Sequence, residues 1–169
     1  MLVLDAAVGT VARDIASPHD KSVHHIALPT PSVHAPHLLD AYNMFATSAI
    51  DNLIVLWDIR FCFLALIWNC FYHYALVVRA PRSVARYGGH VNRREPVQAA
   101  VSPCLRYLAT GSEDKSVRMV DLRTGRELLK LAGLHSDVVS AVAFHPLKAQ
   151  LASVSYDGTV KFYKDPDGL

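Results

Sequence analysis

Short apolar runs rich in β-branched and aromatic residues alternate with polar turn clusters along this chain. Leu53–Trp57, Ser116–Val120, Val139–Phe144 and Thr159–Tyr163 are such runs. Val, Ile, Thr, Tyr and Phe fit a pleated, half-buried surface, so each run predicts a strand. Asp157-Gly158 predicts a hairpin turn, because glycine tolerates positive φ. Thr124-Gly125 marks a second turn.

The runs recur in a fixed frame. Aligned on a histidine, three segments match: His19 to Pro29, His90 to Pro103 and His135 to Pro146. Each places the histidine shortly before a β-rich stretch that ends at proline. Proline cannot donate to a sheet ladder and suits a strand end. Further on the register tightens. Thr47 precedes Asp51 by four residues, Thr110 precedes Asp114 by four, and Ser153 precedes Asp157 by four. A strand follows each Asp, and Asp51 to Asp58, Asp114 to Asp121 and Asp157 to Lys164 are each seven apart. Leu2 to Asp5 fits the same frame: Asp5 lies 14 residues before His19, as Asp121 lies 14 before His135. His90 to His135 is 45 residues, close to the repeat of about 40–45 that builds one four-stranded propeller blade.

Gly89-His90, Ser102-Pro103, Leu108 to Asp114 and Leu56-Trp57-Asp58 resemble the WD40 repeat. The resemblance covers most of the chain outside residues 29–40 and 61–82. It implies an all-β fold, a partial β-propeller of about three four-stranded antiparallel WD40 blades. Residues 1–18 would end a preceding blade, 19–89 and 90–134 would form two blades, and 135–169 an incomplete last one. Propellers typically have 4–8 blades, so the chain resembles the C-terminal part of a larger protein. The resemblance also implies a buried hydrogen-bonded set in each blade. The sets are His19, Thr47, Asp51 and Trp57; His90, Thr110 and Asp114; and His135, Ser153, Asp157 and Tyr163. A buried carboxylate needs donors, and imidazole, hydroxyl and indole N–H supply them. Four departures from the pattern predict some irregularity. Val120 stands where Trp is expected, Lys164 replaces the Asp of the Trp-Asp pair, Pro18 precedes His19, and Leu134 separates Gly133 from His135.

Ser, His and Asp are also the ingredients of a hydrolase triad. A triad needs one activated nucleophile and an oxyanion hole, whereas three copies at equal spacing point to a scaffold. The sequence has no nucleophile elbow, phosphate loop or zincin motif. No enzyme activity, catalytic residue, metal or cofactor is expected.

Composition narrows the class further. Apolar residues make up 51% and charged ones 19% of the 169 residues, a globular balance. A net charge of +2 favours neither nucleic acid nor an acidic partner. Cys62, Cys70 and Cys104 are odd in number and fit no disulfide framework or zinc motif. A reducing compartment follows, the cytoplasm or alternatively the nucleus. Asp5 interrupts the early apolar run and no basic residue precedes it, so no secretory signal is expected.

Two segments break the repeat. Pro29, Pro31 and Pro36 make residues 29–40 a loop insertion. His24, His25, His34 and His37 surround it, and solvated histidines are favoured there over a metal site, because finger spacing is lacking. The second segment is Phe61 to Val78, almost wholly apolar, with Asn69 and His73 inside. Arg60 to His90 spans 30 residues where Arg123 to His135 spans 12, and removing 61–79 brings the first gap to 11. Three readings compete: a membrane-spanning helix, which needs about 20 apolar residues; a buried extra strand or helix; and a segment foreign to the blade. The last is favoured because its excision restores the repeat. Arg79, Arg82, Arg86, Arg93 and Arg94 form a basic run, read as a solvent-exposed loop between blades rather than a phosphate site.

The resemblance implies a WD-repeat scaffold that mediates protein–protein interaction within a multiprotein complex. The expected contact residues lie in loops near the blade tops: Asp20 and Lys21; Asn92, Arg93 and Arg94; Ser136 and Asp137. Other proteins or peptides are the expected partners, with self-association through open blade edges. The rival readings are a membrane-associated protein anchored through 61–78 and a truncated or misassembled product with no independent function.

Overall fold

The computed structural model describes residues 2–4, 11–14, 19–29, 43–58 and 83–164. Within them the chain is all-β and holds thirteen strands. Most of the Pro-rich insertion, with His34 and His37, lies outside the described residues, as do the apolar segment 61–79, Arg79 and Arg82. Among the described residues no helix is long and apolar enough to cross a membrane.

The strands form antiparallel sheets in simple chain order. β1 (Leu2–Leu4) pairs with β2 (Val11–Asp14). β3 (Val23–Ala27), β4 (Met44–Ala49), β5 (Ile54–Asp58) and β6 (Ser83–Tyr87) make the first four-stranded blade. β7 (Ala99–Val101), β8 (Tyr107–Thr110), β9 (Val117–Asp121) and β10 (Glu127–Leu131) make the second. β11 (Val139–Phe144), β12 (Gln150–Ser155) and β13 (Val160–Lys164) make the third, with three strands among the described residues.

The blades stand side by side, first strand against first strand. β7 touches both β3 and β11, the arrangement of blades fanned about an axis. Because side chains alternate across a strand, each blade has one face toward its predecessor and one toward its successor. Ala27, Ala46, Ile54 and Leu56 of the first blade pack with Ala99, Val101, Leu108 and Val120 of the second. Ala109 and Val117 of the second pack with Val139, Val142 and Leu151 of the third. Burying a side chain such as Ile54, Leu56 or Leu108 stabilises by about 1.5–3 kcal/mol, so these seams hold the blades in order. On the other face of the first blade, Phe45 stacks on Trp57, centroids 5.9 Å apart, with Val55 beside them.

Polar bonds also cross the seams. Gln98 N–H donates to Ser140 O at 2.9 Å and Val139 N–H to Ser112 O at 3.2 Å. Tyr87 OH donates to Leu122 O at 2.8 Å, and His24 Nε2–H to Val97 O at 2.9 Å. His24 and His25 are half-buried, not the solvated pair expected; His24 is turned into the seam by that carbonyl. Among the described residues no cluster of three metal-ligating side chains forms.

The repeated Asp has a local role in every blade. Asp51 Oδ1 accepts from Leu53 N–H at 3.0 Å, Asp114 Oδ1 from Ser116 N–H at 3.2 Å, and Asp157 Oδ1 from Thr159 N–H at 2.9 Å. These are Asx turns, in which a short carboxylate mimics a backbone carbonyl. The residue after each Asp then takes positive φ: Asn52 at 62°, Lys115 at 66° and Gly158 at 77°.

Candidate functional site

Each blade's histidine enters from the loop before its first strand, and its Asp from the turn between the second and third. In the first blade the structure brings His19, Thr47, Asp51 and Trp57 together. Trp57 Nε1–H donates to Thr47 Oγ1 at 2.9 Å. Thr47 Oγ1 lies 2.8 Å from His19 Nε2, and His19 Nδ1 lies 3.0 Å from Asp51 Oδ2. A carboxylate only accepts, so Nδ1 carries the proton and Nε2 takes the Thr47 hydroxyl hydrogen. The chain of donors runs one way, from indole to hydroxyl to imidazole to carboxylate. Asp51 Oδ2 also accepts from Asp20 N–H at 3.2 Å.

The third blade repeats the arrangement with a phenol in place of the indole. Tyr163 OH lies 2.8 Å from Ser153 Oγ, which lies 2.7 Å from His135 Nε2. His135 Nδ1 is shared between Thr159 Oγ1 at 3.1 Å and Asp157 Oδ2 at 3.3 Å. Ser136 N–H donates to the same carboxylate at 2.9 Å. The Thr159 hydroxyl first, then the Ser136 and Thr159 amides and His135, hold the Asp157 carboxyl below the ordinary carboxylate range against some desolvation.

The second blade departs from the expected set. His90 is buried, but its Nε2 has no partner among the described residues. Thr110 Oγ1 donates to Gly111 O at 3.0 Å instead. Asp114 pairs with Arg118 at 2.7 Å and Lys130 at 3.4 Å, and Arg118 also grips Glu127 at 2.8 Å. Two causes combine. Val120 offers no N–H to anchor the Thr110 hydroxyl, and Arg118, four residues after Asp114, takes the carboxylate as a charged partner. Burial pushes the Asp114 carboxyl up, but bonds from Ser116, Arg118 and Ser112 outweigh it and hold it low.

The expected contact residues divide. Asp20, Lys21, Arg93, Arg94, Ser136 and Asp137 are exposed. Asn92 is 0% exposed and is corrected to a seam residue. Its Nδ2 donates to Ala49 O at 3.0 Å, and its backbone N–H to Asn52 Oδ1 at 2.7 Å, tying the second blade's loop to the first blade's turn. Glu113, overlooked in the sequence, organises the same loop. Its Oε1 accepts from the backbone N–H groups of Arg93, Arg94 at 2.6 Å and Glu95 at 3.1 Å. Desolvation raises the Glu113 pKa, but these amides outweigh it and leave it lowered. Loop and turn are thus pinned together in all three blades, at Asp20–Asp51, Arg93–Glu113 and Ser136–Asp157. The exposed turn residues Lys115 and Tyr156 therefore belong to the same end. No sequence signal singles them out, since a turn is polar in any fold.

A separate apolar cleft of about 580 Å³ opens between the second and third blades, lined by Tyr107, Met119, Leu129, Phe144, Leu147 and Tyr163 among others. Neither His–Asp pair lies in it.

The WD domain, G-beta repeat family matches residues 81–121 and 127–164, the first match running from β6 to β9 and the second from β10 to β13. The chain carries WD40 repeats. It is 32% identical over 116 residues to a LEC14B homolog from Prunus armeniaca, a match covering 65% of this chain and 23% of that protein. It is 42% identical over 69 residues to a probable cytosolic Fe-S cluster assembly factor from Schizosaccharomyces japonicus, covering 40% of this chain and 11% of the relative. It is 47% identical over 57 residues to mouse Coronin-7, covering 34% and 6%. The matches thus span less than a quarter of each of these relatives. Most of the first blade lies before the matched residues, yet it is the one with the complete His–Thr–Asp–Trp set.

The burial of His90 in the second WD40 blade has a consequence for acid stability. Burial first, then the nearby Arg118 charge, lowers the His90 pKa to about 4 from 6.5. Above pH 6.5 the imidazole is neutral in both folded and unfolded chains. Between 6.5 and about 4 the unfolded chain binds a proton that the folded chain refuses, so stability falls with pH. The full loss is about 3 kcal/mol. His25, lowered by burial and then by His24, acts in the same direction. Urea unfolding at pH 7 and pH 4.5 is expected to show this loss, and His90→Leu to remove most of it. An unchanged pH slope in His90→Leu refutes the assignment.

Proposed function

We propose that the chain is a non-catalytic scaffold within a multiprotein complex. It binds a protein or peptide partner at the blade end where the histidine-bearing loops meet the Asp turns. The observation that carries this reading is the division between closed and open polar groups. Ser153 and His135 have the identities of a triad, but Ser153 is 0% exposed and sits against the Tyr163 hydroxyl. A nucleophile needs an open approach and oxyanion donors beside it. Thr47 is closed off in the same way by Trp57. The exposed groups, by contrast, are Lys21, Arg93, Arg94, Lys115, Asp137 and Tyr156, mixed in charge and spread over one end. Tyrosine and arginine are the residue types that most often dominate binding energy at such surfaces. The exposed free thiol of Cys104 supports a reducing compartment, the cytoplasm.

The test is capture of partners by the full chain, with Arg93→Glu combined with Tyr156→Ala as the comparison. Loss of partners with an unchanged β-sheet circular dichroism spectrum is the expected result. Equal capture by both chains refutes the proposed face. Ester or amide hydrolysis that disappears in Ser153→Ala refutes the non-catalytic reading.

A further inference from the structure

The two seams between blades are filled differently. Tyr87, at the end of β6, pairs with Ile54, and Leu131, at the end of β10, pairs with Val117. Ile54 and Val117 each stand three residues after their blade's turn Asp, so Tyr87 and Leu131 hold equivalent positions. Tyr87 is buried and crosses the first seam to donate to Leu122 O. Leu131 has neither the ring nor the hydroxyl to cross the second seam, and it lines the apolar cleft of about 580 Å³ that opens there. The cleft is bounded on one side by β8 to β10 and the turn before β8, and on the other by β11, β12 and the turn between them at residues 145–149.

Charge around the cleft has one sign. The charged side chains that line it are Lys148 and Lys164, both exposed. On the facing wall the Arg106 guanidinium lies over the Tyr107 ring, 5.5 Å from its centroid. Among the described residues no carboxylate lines the cleft. Asp121, 3.9 Å from Arg106, is buried and accepts from the Arg123 and Thr124 amides.

We propose that this cleft binds a segment of a partner protein in which a large apolar residue is flanked on both sides by acidic ones. The apolar side chain enters among Met119, Leu131, Phe144 and Leu151, and leaving water there stabilises it. The flanking carboxylates meet Arg106 on the second blade and Lys148 and Lys164 on the third. Cations on both walls favour a chain with acidic groups on either side of its anchor over a fatty acid, which carries one carboxylate at one end. The volume lies within the range of ligand pockets, about 300–1,000 Å³. A basic segment is rejected, because like charges would face each other across the mouth. The turns at the mouth join first and second strands, one strand length from the turns that join second and third. The site is therefore at the blade end opposite the histidine loops. It is additional to the partner face proposed above and does not depend on it.

Fluorescence anisotropy of the full chain with a dye-labelled peptide, one phenylalanine between two pairs of aspartates, tests the proposal. Saturable binding is expected, and replacing the phenylalanine by alanine or the aspartates by lysines weakens it about tenfold or more. Lys148→Glu combined with Lys164→Glu has the same effect, while Arg93→Glu combined with Tyr156→Ala leaves binding unchanged. Lys148 and Lys164 are exposed, so their substitution leaves the fold standing, and circular dichroism verifies this. No saturable binding, equal binding of the lysine peptide, or equal binding by the Lys148→Glu, Lys164→Glu chain overturns the proposal. Saturable binding of laurate with none of the peptide makes the occupant a lipid carboxylate and overturns it too.

Discussion

Gly111→Ala is expected to destabilise the protein by on the order of 3 kcal/mol, a fall in melting temperature of about 6–12 °C for a chain of this size. A Cβ at Gly111 would sit 2.1 Å from Val139 O and 2.9 Å from Val139 C. Both are backbone atoms at the start of β11, so no side chain can swing aside. The third blade must move as a body, and with it the Val139 N–H to Ser112 O bond and the seam of Ala109 and Val117 against Val139 and Val142. Gly88→Ala is the control. Its Cβ would meet only Asn52 O, at 3.9 Å, and stability is expected to stay within about 0.5 kcal/mol, as for ordinary surface changes. Thermal unfolding of both variants decides the matter. Equal melting temperatures mean that the second and third blades do not approach this closely.

Thr47→Val keeps the side-chain shape but removes the hydroxyl at the centre of the first blade's network. The buried Trp57 Nε1–H loses its acceptor, and His19 Nε2 loses the Thr47 hydroxyl. A buried donor stripped of its acceptor costs about 1–3 kcal/mol, so the expected loss is roughly 1–3 kcal/mol. Ser153→Ala in the third blade is expected to cost less. It deprives the buried His135 Nε2 of its partner as Thr47→Val does His19, but its other partner Tyr163 is only half-buried, and a phenol near solvent replaces a lost bond with water, where the buried indole of Trp57 cannot. Urea unfolding of the two variants measures the difference. A Thr47→Val chain within 0.5 kcal/mol of the parent shows that the donor chain contributes little to stability, and a larger loss in Ser153→Ala inverts the ranking.

Much of the candidate site was legible because its spacing is local. Thr47 and Asp51, or Ser153 and Asp157, are placed by one strand and one Asx turn, and both lie within a few residues in sequence. Whether the network then closes is a competition that spacing does not express. His90, Thr110 and Asp114 stand in the same frame as the other two sets. There Arg118 offers Asp114 a full positive charge where His90 offers at most a neutral N–H, and Val120 leaves Thr110 without its second partner. Asn92 illustrates the complementary difficulty. A polar residue between two loops reads as exposed, yet a turn 40 positions earlier draws it into the seam. Glu113 is similar: its carboxylate serves amides 18 to 20 residues away.

By itself the sequence determined the strands, their order within each blade and the recurring Asp turns. These depend on interactions between near neighbours: β-propensity, alternation across the pleat and a carboxylate folding back on its own backbone. Only the tertiary structure decided that Asp114 pairs with Arg118 rather than with His90, that Asn92 enters the seam and that Gly111 lies against Val139 O. Those outcomes depend on which sheet faces meet and which charged groups arrive first at a shared carboxylate. Sheet packing acts between residues far apart in the chain, so identical local patterns reach different ends.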